Sequence, residues 1–425
     1  RVRRQRQMCI RDRYDDSASV AAVAIGSQVM QTITGIILGI TTGTTVLIAI
    51  AIGAKDNRKV AFTIGSSVWL FSITGVVLTL VMVLFHSRIA ELMHTPVEAM
   101  VDTKNYILVC SLGILFIVGY NVVCGILRGL GDSKTPLYFV GLACVINIVL
   151  DFILVGYFHW GATGAAIATV TAQGVSFGIA LWFLYRHGFH FDFSRKDIRL
   201  NRNLSKKILV LGAPIALQDA LINVSFLIIT VIVNQMGVIA SASLGVVEKI
   251  IVFAMLPPMA ISSAVATMTA QNYGAGLIKR MNKCLASGIG IALVFGVSVC
   301  VYSQFLPETL TAFFTKDAAV VAMAADYLRG YSIDCIVVSF VFCINSYFSG
   351  QGNSLFPMIH SLIATFLFRI PLSYWFSQID SSSLFIMGFA PPISTVVSLL
   401  ICIWYLRYTQ RKLYLRGTMM PAMSN

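Results

Sequence analysis

Eleven apolar stretches dominate the chain, and each is at least as long as the roughly 20 residues a helix needs to cross a bilayer. They fall at 19–52, 61–85, 106–127, 137–158, 162–184, 208–234, 238–272, 285–306, 328–349, 357–377 and 384–406. In lipid no water satisfies a bare backbone, so each stretch must be helical. The sequence therefore predicts an all-α polytopic membrane protein. Composition agrees: 12% of residues are charged and 57% hydrophobic, with a mean hydropathy of +0.82. Soluble domains carry roughly 25% charged residues. A soluble globular fold and a disordered chain are both excluded.

Basic residues segregate between alternate loops. Nineteen lysines and arginines lie in one set, including Lys55, Arg58, Lys59, Arg128, Lys134, the linker from Arg186 to Lys207, Lys279, Arg280, Lys283 and Arg407. The other set holds four: Arg88, Lys104, Lys316 and Arg329. The positive-inside rule makes the first set cytoplasmic, together with the C-terminus. The net charge of +13 thus reports membrane topology and not nucleic-acid binding. The opening residues break the pattern, because eleven spans would put the arginine-rich stretch 1–13 on the translocated side.

Chemistry-bearing motifs are absent. The nine cysteines show no CxxC or Cys/His spacing, and all but Cys9 lie in apolar stretches, where they read as small hydrophobes. No HExxH, GxGxxG or phosphate-binding loop occurs, which argues against an enzyme, an ATP-driven pump or a bound cofactor. A membrane-embedded transferase would need acidic or histidine clusters at an interfacial loop. The outer loops offer only His86, Glu91, His94, Glu98 and Glu308, in no ligand spacing.

The chain repeats itself. Gly129-Leu-Gly-Asp-Ser-Lys-Thr-Pro136 recurs as Gly350-Gln-Gly-Asn-Ser-Leu-Phe-Pro357, an offset of 221 residues. Gly53-Ala54 and Gly274-Ala275 share that offset, as do Tyr106 and Tyr327. Three matches in one register imply a tandem duplication. Both glycine-rich loops are cytoplasmic, so the halves are expected to be related by an axis along the membrane normal. The expected organisation is a non-native or disordered tail at 1–16, an N-terminal helical lobe at 17–185, a cytoplasmic linker at 186–207, a C-terminal lobe at 208–410 and a cytoplasmic tail at 411–425. Moving 208–234 back by 221 lands on the arginine tail, so a native set of twelve helices with its first one absent is expected. The long stretches 19–52 and 238–272 correspond, each expected as one long, bent helix with a cytoplasmic extension.

Cys124-Gly-Ile-Leu-Arg-Gly-Leu-Gly-Asp-Ser-Lys-Thr-Pro136, Asn147-Ile-Val-Leu-Asp151, Gly161-Ala-Thr-Gly-Ala-Ala-Ile-Ala-Thr169 and Thr269-Ala-Gln-Asn-Tyr-Gly-Ala275 resemble the multidrug and toxic compound extrusion (MATE) family. The resemblance spans about residues 17 to 410. It implies a V-shaped transporter of two six-helix bundles that exports amphipathic, often cationic compounds in exchange for inward Na+ or H+. Its setting would be the inner membrane, with lipid and small substrates as partners. Without a coiled coil or soluble domain, a monomer is expected.

Ionisable groups deep in apolar runs are few: Asp151, Asp219, Glu248, Lys249, Asp334 and Arg369. Each costs roughly 2.5 to 3.5 kcal/mol at a helix centre, so each needs a partner or a purpose. Asn147 and Asp151 are four residues apart and share a helix face, offering a carboxylate and a carbonyl oxygen. Thr169 on the next helix adds a hydroxyl. Such oxygens suit a hard cation such as Na+, while a lone carboxylate suits a proton, and the sequence leaves that choice open. The resemblance implies the same trio as the cation-coupling set, joined in the family by a first-helix Asp with no counterpart here. Asp334, Glu248, Gln173, Asn223 and Asn345 are candidates for substrate or a second cation, with Met255 as a cavity-lining candidate. Asp219 reads as gating or structural, and Arg369 as the partner of a carboxylate in its own lobe. The rival reading is a lipid-linked saccharide flippase, whose cavity would need several basic groups; only Lys249 and Arg369 are available inside.

Overall fold

The structure, a computed structural model, describes residues 17–418 except 94, 189–192, 195–196 and 380–382. The tail at 1–16 lies outside the described residues. Fourteen helices account for the fold among those described: α1 Ser17–Gly53, α2 Asn57–Leu92, α3 Met100–Leu112, α4 Ile114–Leu130, α5 Lys134–Asp151, α6 Gly161–His187, α7 Arg202–Asn234, α8 Val238–Gly274, α9 Ile278–Phe305, α10 Pro307–Ala312, α11 Ala318–Gly350, α12 Leu355–Ile363, α13 Ile370–Ile379 and α14 Ala390–Thr418. Ten helical segments are long and apolar enough to span a bilayer, and the bent pair Val97–Leu112 and Ile114–Leu130 makes an eleventh. All eleven expected spans are present, and the expected long helices α1 and α8 both run for 37 residues.

The chain divides into two compact units, Arg1–Ala216 and Leu217–Asn425. The division falls inside α7 and not in the polar linker at 186–207. The reason is local packing: Ile208 is fully buried in the first unit's core, and a Cβ on Gly212 would collide with the backbone of Ile40. The start of α7 therefore belongs with α1.

The duplication is visible in packing as well as in sequence. A Cβ on Gly129 would lie 2.8 Å from the Thr45 carbonyl oxygen and 2.9 Å from Ile48; one on Gly350 would lie 2.5 Å from the Ala266 carbonyl oxygen and 3.0 Å from Thr269. Every residue in the second contact is the first plus 221. Lipid supplies no hydrophobic drive between helices, so close approach at small residues and interhelical hydrogen bonds hold such bundles together. Thr45 Oγ1 donating to the Gly125 carbonyl at 2.9 Å and Ser339 Oγ donating to the Ala292 carbonyl at 3.2 Å are examples. The loops repeat too: Gly131 and Gly352 take φ of 98° and 84°, and the amides of Asp132 and Asn353 close equivalent turns onto Leu127 and Phe348. A left-handed φ costs glycine little, which is why that residue ends both helices.

The repeat diverges in two places. In the first unit the span 97–130 bends by 48° at Gly113. In the second, the corresponding α11 is continuous and carries Asp334 at the position of Gly113. The matching spans 134–157 and 355–379 each contain a π-helical turn, but at different points: Phe152–Tyr157 directly after Asp151, and Ala364–Arg369. The latter precedes Pro371, whose ring would strike the carbonyl four residues back in a regular helix, and the wider turn accommodates it.

Candidate functional site

In the first unit α5 and α6 bring four polar groups onto facing surfaces. Asn147 and Asp151 lie one turn apart on α5; Thr169 and Gln173 lie one turn apart on α6. Asn147 Nδ2 donates to Thr169 Oγ1 at 3.5 Å, and Thr169 Oγ1 donates to the Ala165 carbonyl at 2.9 Å. Asn147, Thr169 and Gln173 line a cavity of about 140 Å³ with Tyr120, Val140, Ala143, Cys144 and Ala172. Asp151 sits one turn further along α5.

Three polar oxygens here are buried with no hydrogen-bond partner: Asp151 Oδ1, Gln173 Oε1 and the Tyr120 hydroxyl. Gln173 and Tyr120 line the cavity and Asp151 lies one turn beyond it on α5; buried polar atoms are ordinarily satisfied, so unmatched oxygens on these neighbouring helices mark a place for a ligand that donates or carries positive charge. The four ion pairs among the described residues involve Glu91, Glu308 and Asp326, never Asp151. Its carboxylate thus has no resident counter-charge within 4 Å.

Tyr106 completes the arrangement and was not among the sequence candidates. It lies on α3, is 5% exposed, and has Cys110, Asp151 and Thr169 as its polar neighbours. Its match with Tyr327 at the repeat offset was the available signal, but it spoke for duplication and carried no chemistry.

The second unit holds a different arrangement. Asp334 on α11 is 5% exposed, its Oδ1 unpartnered, with Thr395 and Tyr331 as polar neighbours. Glu248 on α8 accepts from Thr230 Oγ1 at 3.5 Å. Arg369 was expected to pair with a carboxylate. Among the described residues it forms no ion pair within 4 Å; its guanidinium lies over the Phe226 ring, 4.4 Å from the centroid, and its Nε is buried without a partner there.

The remaining candidates do not join either arrangement. Asn345 is eleven residues beyond Asp334, and its Oδ1 engages His360 Nε2 at 2.7 Å while Ser398 meets His360 Nδ1 at 2.8 Å. That buried network ties α11, α12 and α14 together and leaves the Asn345 carbonyl occupied. Asn223, Lys249 and Asp219 are exposed, and Met255 belongs to the core.

Outside the spans, the loop before α5 is fixed by Asp132, whose Oδ1 accepts from the amides of Lys134 and Thr135 at 3.0 Å each. Partial burial pushes this carboxyl up, but the bonds from Thr135 and Lys134 outweigh it and hold it below the usual carboxylate range.

Comparison with known proteins places these features in context. The family model MatE matches residues 8–153 and 214–375. The chain is 29% identical over 360 residues to the probable multidrug resistance protein YpnP of Bacillus subtilis (strain 168), covering 84% of this chain and 80% of that one. It is 26% identical over 349 residues to the multidrug export protein MepA of Staphylococcus aureus (strain NCTC 8325 / PS 47), covering 80% and 75%. Among solved structures, the outward-facing conformation of a multidrug resistance MATE family transporter of the MOP superfamily superposes with a TM-score of 0.89 at 23% identity, over 94% of this chain and 89% of that one. At that identity the likeness concerns the fold.

Proposed function

The chain belongs to the MatE family of multi-pass membrane transporters, and on that premise we propose that it is an antiporter exporting amphipathic, often cationic compounds in exchange for inward Na+ or H+. As a transporter it performs no covalent chemistry. The observation that carries the coupling assignment is Asp151: a half-buried carboxylate with an unpartnered oxygen, no basic partner among the described residues, and Asn147, Thr169 and Tyr106 beside it.

The physical logic is differential binding. A mobile cation at Asp151 neutralises a charge that is costly in an apolar setting, and the Asn147 carbonyl and the Thr169 and Tyr106 hydroxyls supply further oxygens. A cation that binds one conformation more tightly than another shifts the equilibrium by that difference in affinity. Loading from the outer face favours the arrangement from which substrate has left; release inside resets it. We place the protein in the cell's inner membrane with its C-terminus cytoplasmic, a reading supported by the loop charge bias. We take the two lobes to meet inside α7, between Ala216 and Leu217, which moves the expected start of the second lobe from residue 208 to 217.

The test is movement of a fluorescent cationic dye across vesicles carrying the chain, under an imposed Na+ gradient and then a pH gradient. Dye transport driven by either is expected and identifies the ion. No movement under either overturns the reading. The flippase alternative would need several basic groups in the interior, and the apolar spans carry two, Lys249 and Arg369.

A further inference from the structure

A linker rich in charge extends and stays flexible unless something holds it, and the described part of 193–201 is held against α2. Phe193 packs on the first unit's core. Asp197 Oδ2 accepts from the Ser194 amide at 2.8 Å and its hydroxyl at 3.1 Å, while the Asp197 amide donates to the Ser194 carbonyl at 2.9 Å. Beyond this turn Trp69 Nε1 donates to the Ile198 carbonyl at 3.1 Å, and the Arg199 guanidinium lies 5.1 Å from the centroid of the Phe62 ring. Between these two anchors on α2 sits Gly65, where a Cβ would fall on the Asp197 carbonyl oxygen and lie 3.1 Å from Ile198 Cα. Asn201 then caps α7, its Oδ1 accepting from the amides of Asn203 and Leu204 at 3.1 and 3.2 Å.

The receiving face is special to the first repeat. Phe62, Gly65 and Trp69 are spaced by three and four residues, so they share one face of α2. α2 and α9 begin at Asn57 and Ile278, again 221 residues apart. In that register the three residues become Lys283, Ala286 and Gly290. The ring under the guanidinium, the space for the carbonyl and the indole donor are all lost together, which ties them to the linker and not to the helix fold that the two halves share.

We propose that Phe62, Gly65 and Trp69 form a docking face for the chain's own linker, and that the linker stays seated there throughout the transport cycle, so that 193–216 moves as part of the first unit. Both ends of the segment are fixed in that unit, by Phe193 at one end and by Ile208 and Gly212 at the other. A segment pinned at both ends cannot serve as slack between the units. The passage to the second unit lies within α7, at Ala216 and Leu217. None of this depends on the assignment of Asp151.

Limited trypsin digestion of the purified full chain in lipid nanodiscs reads the docking, as the rate of cleavage after Arg199. Losing one anchoring hydrogen bond should speed local opening about tenfold, so Trp69→Ala is expected to be cut about that much faster than wild type. Gly65→Leu is expected to do the same by crowding the Asp197 carbonyl, and Ala286→Leu, at the repeat position, to leave the rate unchanged. Cleavage of Trp69→Ala at the wild-type rate overturns the docking face, whatever Gly65→Leu does. Permanence is read by joining Trp69→Cys/Ile198→Cys with a reducible thiol cross-linker, against wild type treated alike to account for its native cysteines. The locked chain is expected to move dye as fast as the same chain after reduction, and transport lost on locking and regained on reduction overturns it. Independently of transport, wild-type cleavage after Arg199 should proceed at one rate with and without Na+ and dye; a marked rise on adding either contradicts a linker that stays seated.

Discussion

Asp151 illustrates what one residue's surroundings decide. A carboxylate at a helix centre costs roughly 2.5 to 3.5 kcal/mol on insertion scales, and nothing among the described residues offsets it by pairing. Asp151→Asn should therefore fold at least as stably as wild type by thermal melting, which separates its effect on transport from damage to the fold. Tyr106→Phe removes one hydroxyl from the same place and should raise the half-saturating concentration of the coupling ion about tenfold, the equivalent of one lost hydrogen bond of about 1.4 kcal/mol, with the melting temperature little changed. His360→Ala is the contrasting case: it strands Asn345 and Ser398 in a buried setting and should cost about 1–3 kcal/mol in stability, read by melting, while ion affinity stays unchanged. That Asn147 and Asp151 share a face of α5 beside Thr169 on α6 was legible, because spacing by four residues puts groups on one face and the motif named the neighbouring helix. The surroundings of Tyr106 and Arg369 were not, because they depend on contacts between helices that no local spacing encodes. Asn345 misled for the same reason, its partner His360 lying on another helix.

At the scale of elements, a duplicated backbone carries divergent details. The spans follow from apolar length alone, so their existence was legible; the bend at Gly113 and the two π turns were not, since a regular and a broken helix share the same apolar pattern. The helix crossings are held by small residues, which gives a quantitative consequence. Gly350→Ala places a methyl against the Ala266 carbonyl and should destabilise the second unit by about 1–3 kcal/mol. The matching Gly129→Ala should act similarly against Thr45 in the first unit. If thermal melting finds either variant as stable as wild type, the close helix approach is not what holds these bundles together.

The whole molecule joins two related units, of which the first carries Asp151 and the second Glu248 and Asp334, none of them in an ion pair among the described residues. Composition made the membrane class legible from the sequence, and the G-x-G-x-S-x-x-P match made the duplication legible. The central claim is that a mobile cation at Asp151 drives export. It is tested most directly by ion-driven dye transport in vesicles containing equal amounts of wild type and of Asp151→Asn, each checked for its melting temperature. The account predicts that Asp151→Asn moves dye no faster than wild type with the ion gradient dissipated, while melting normally. Dye transport by Asp151→Asn at the wild-type rate and with the same dependence on the gradient would contradict it.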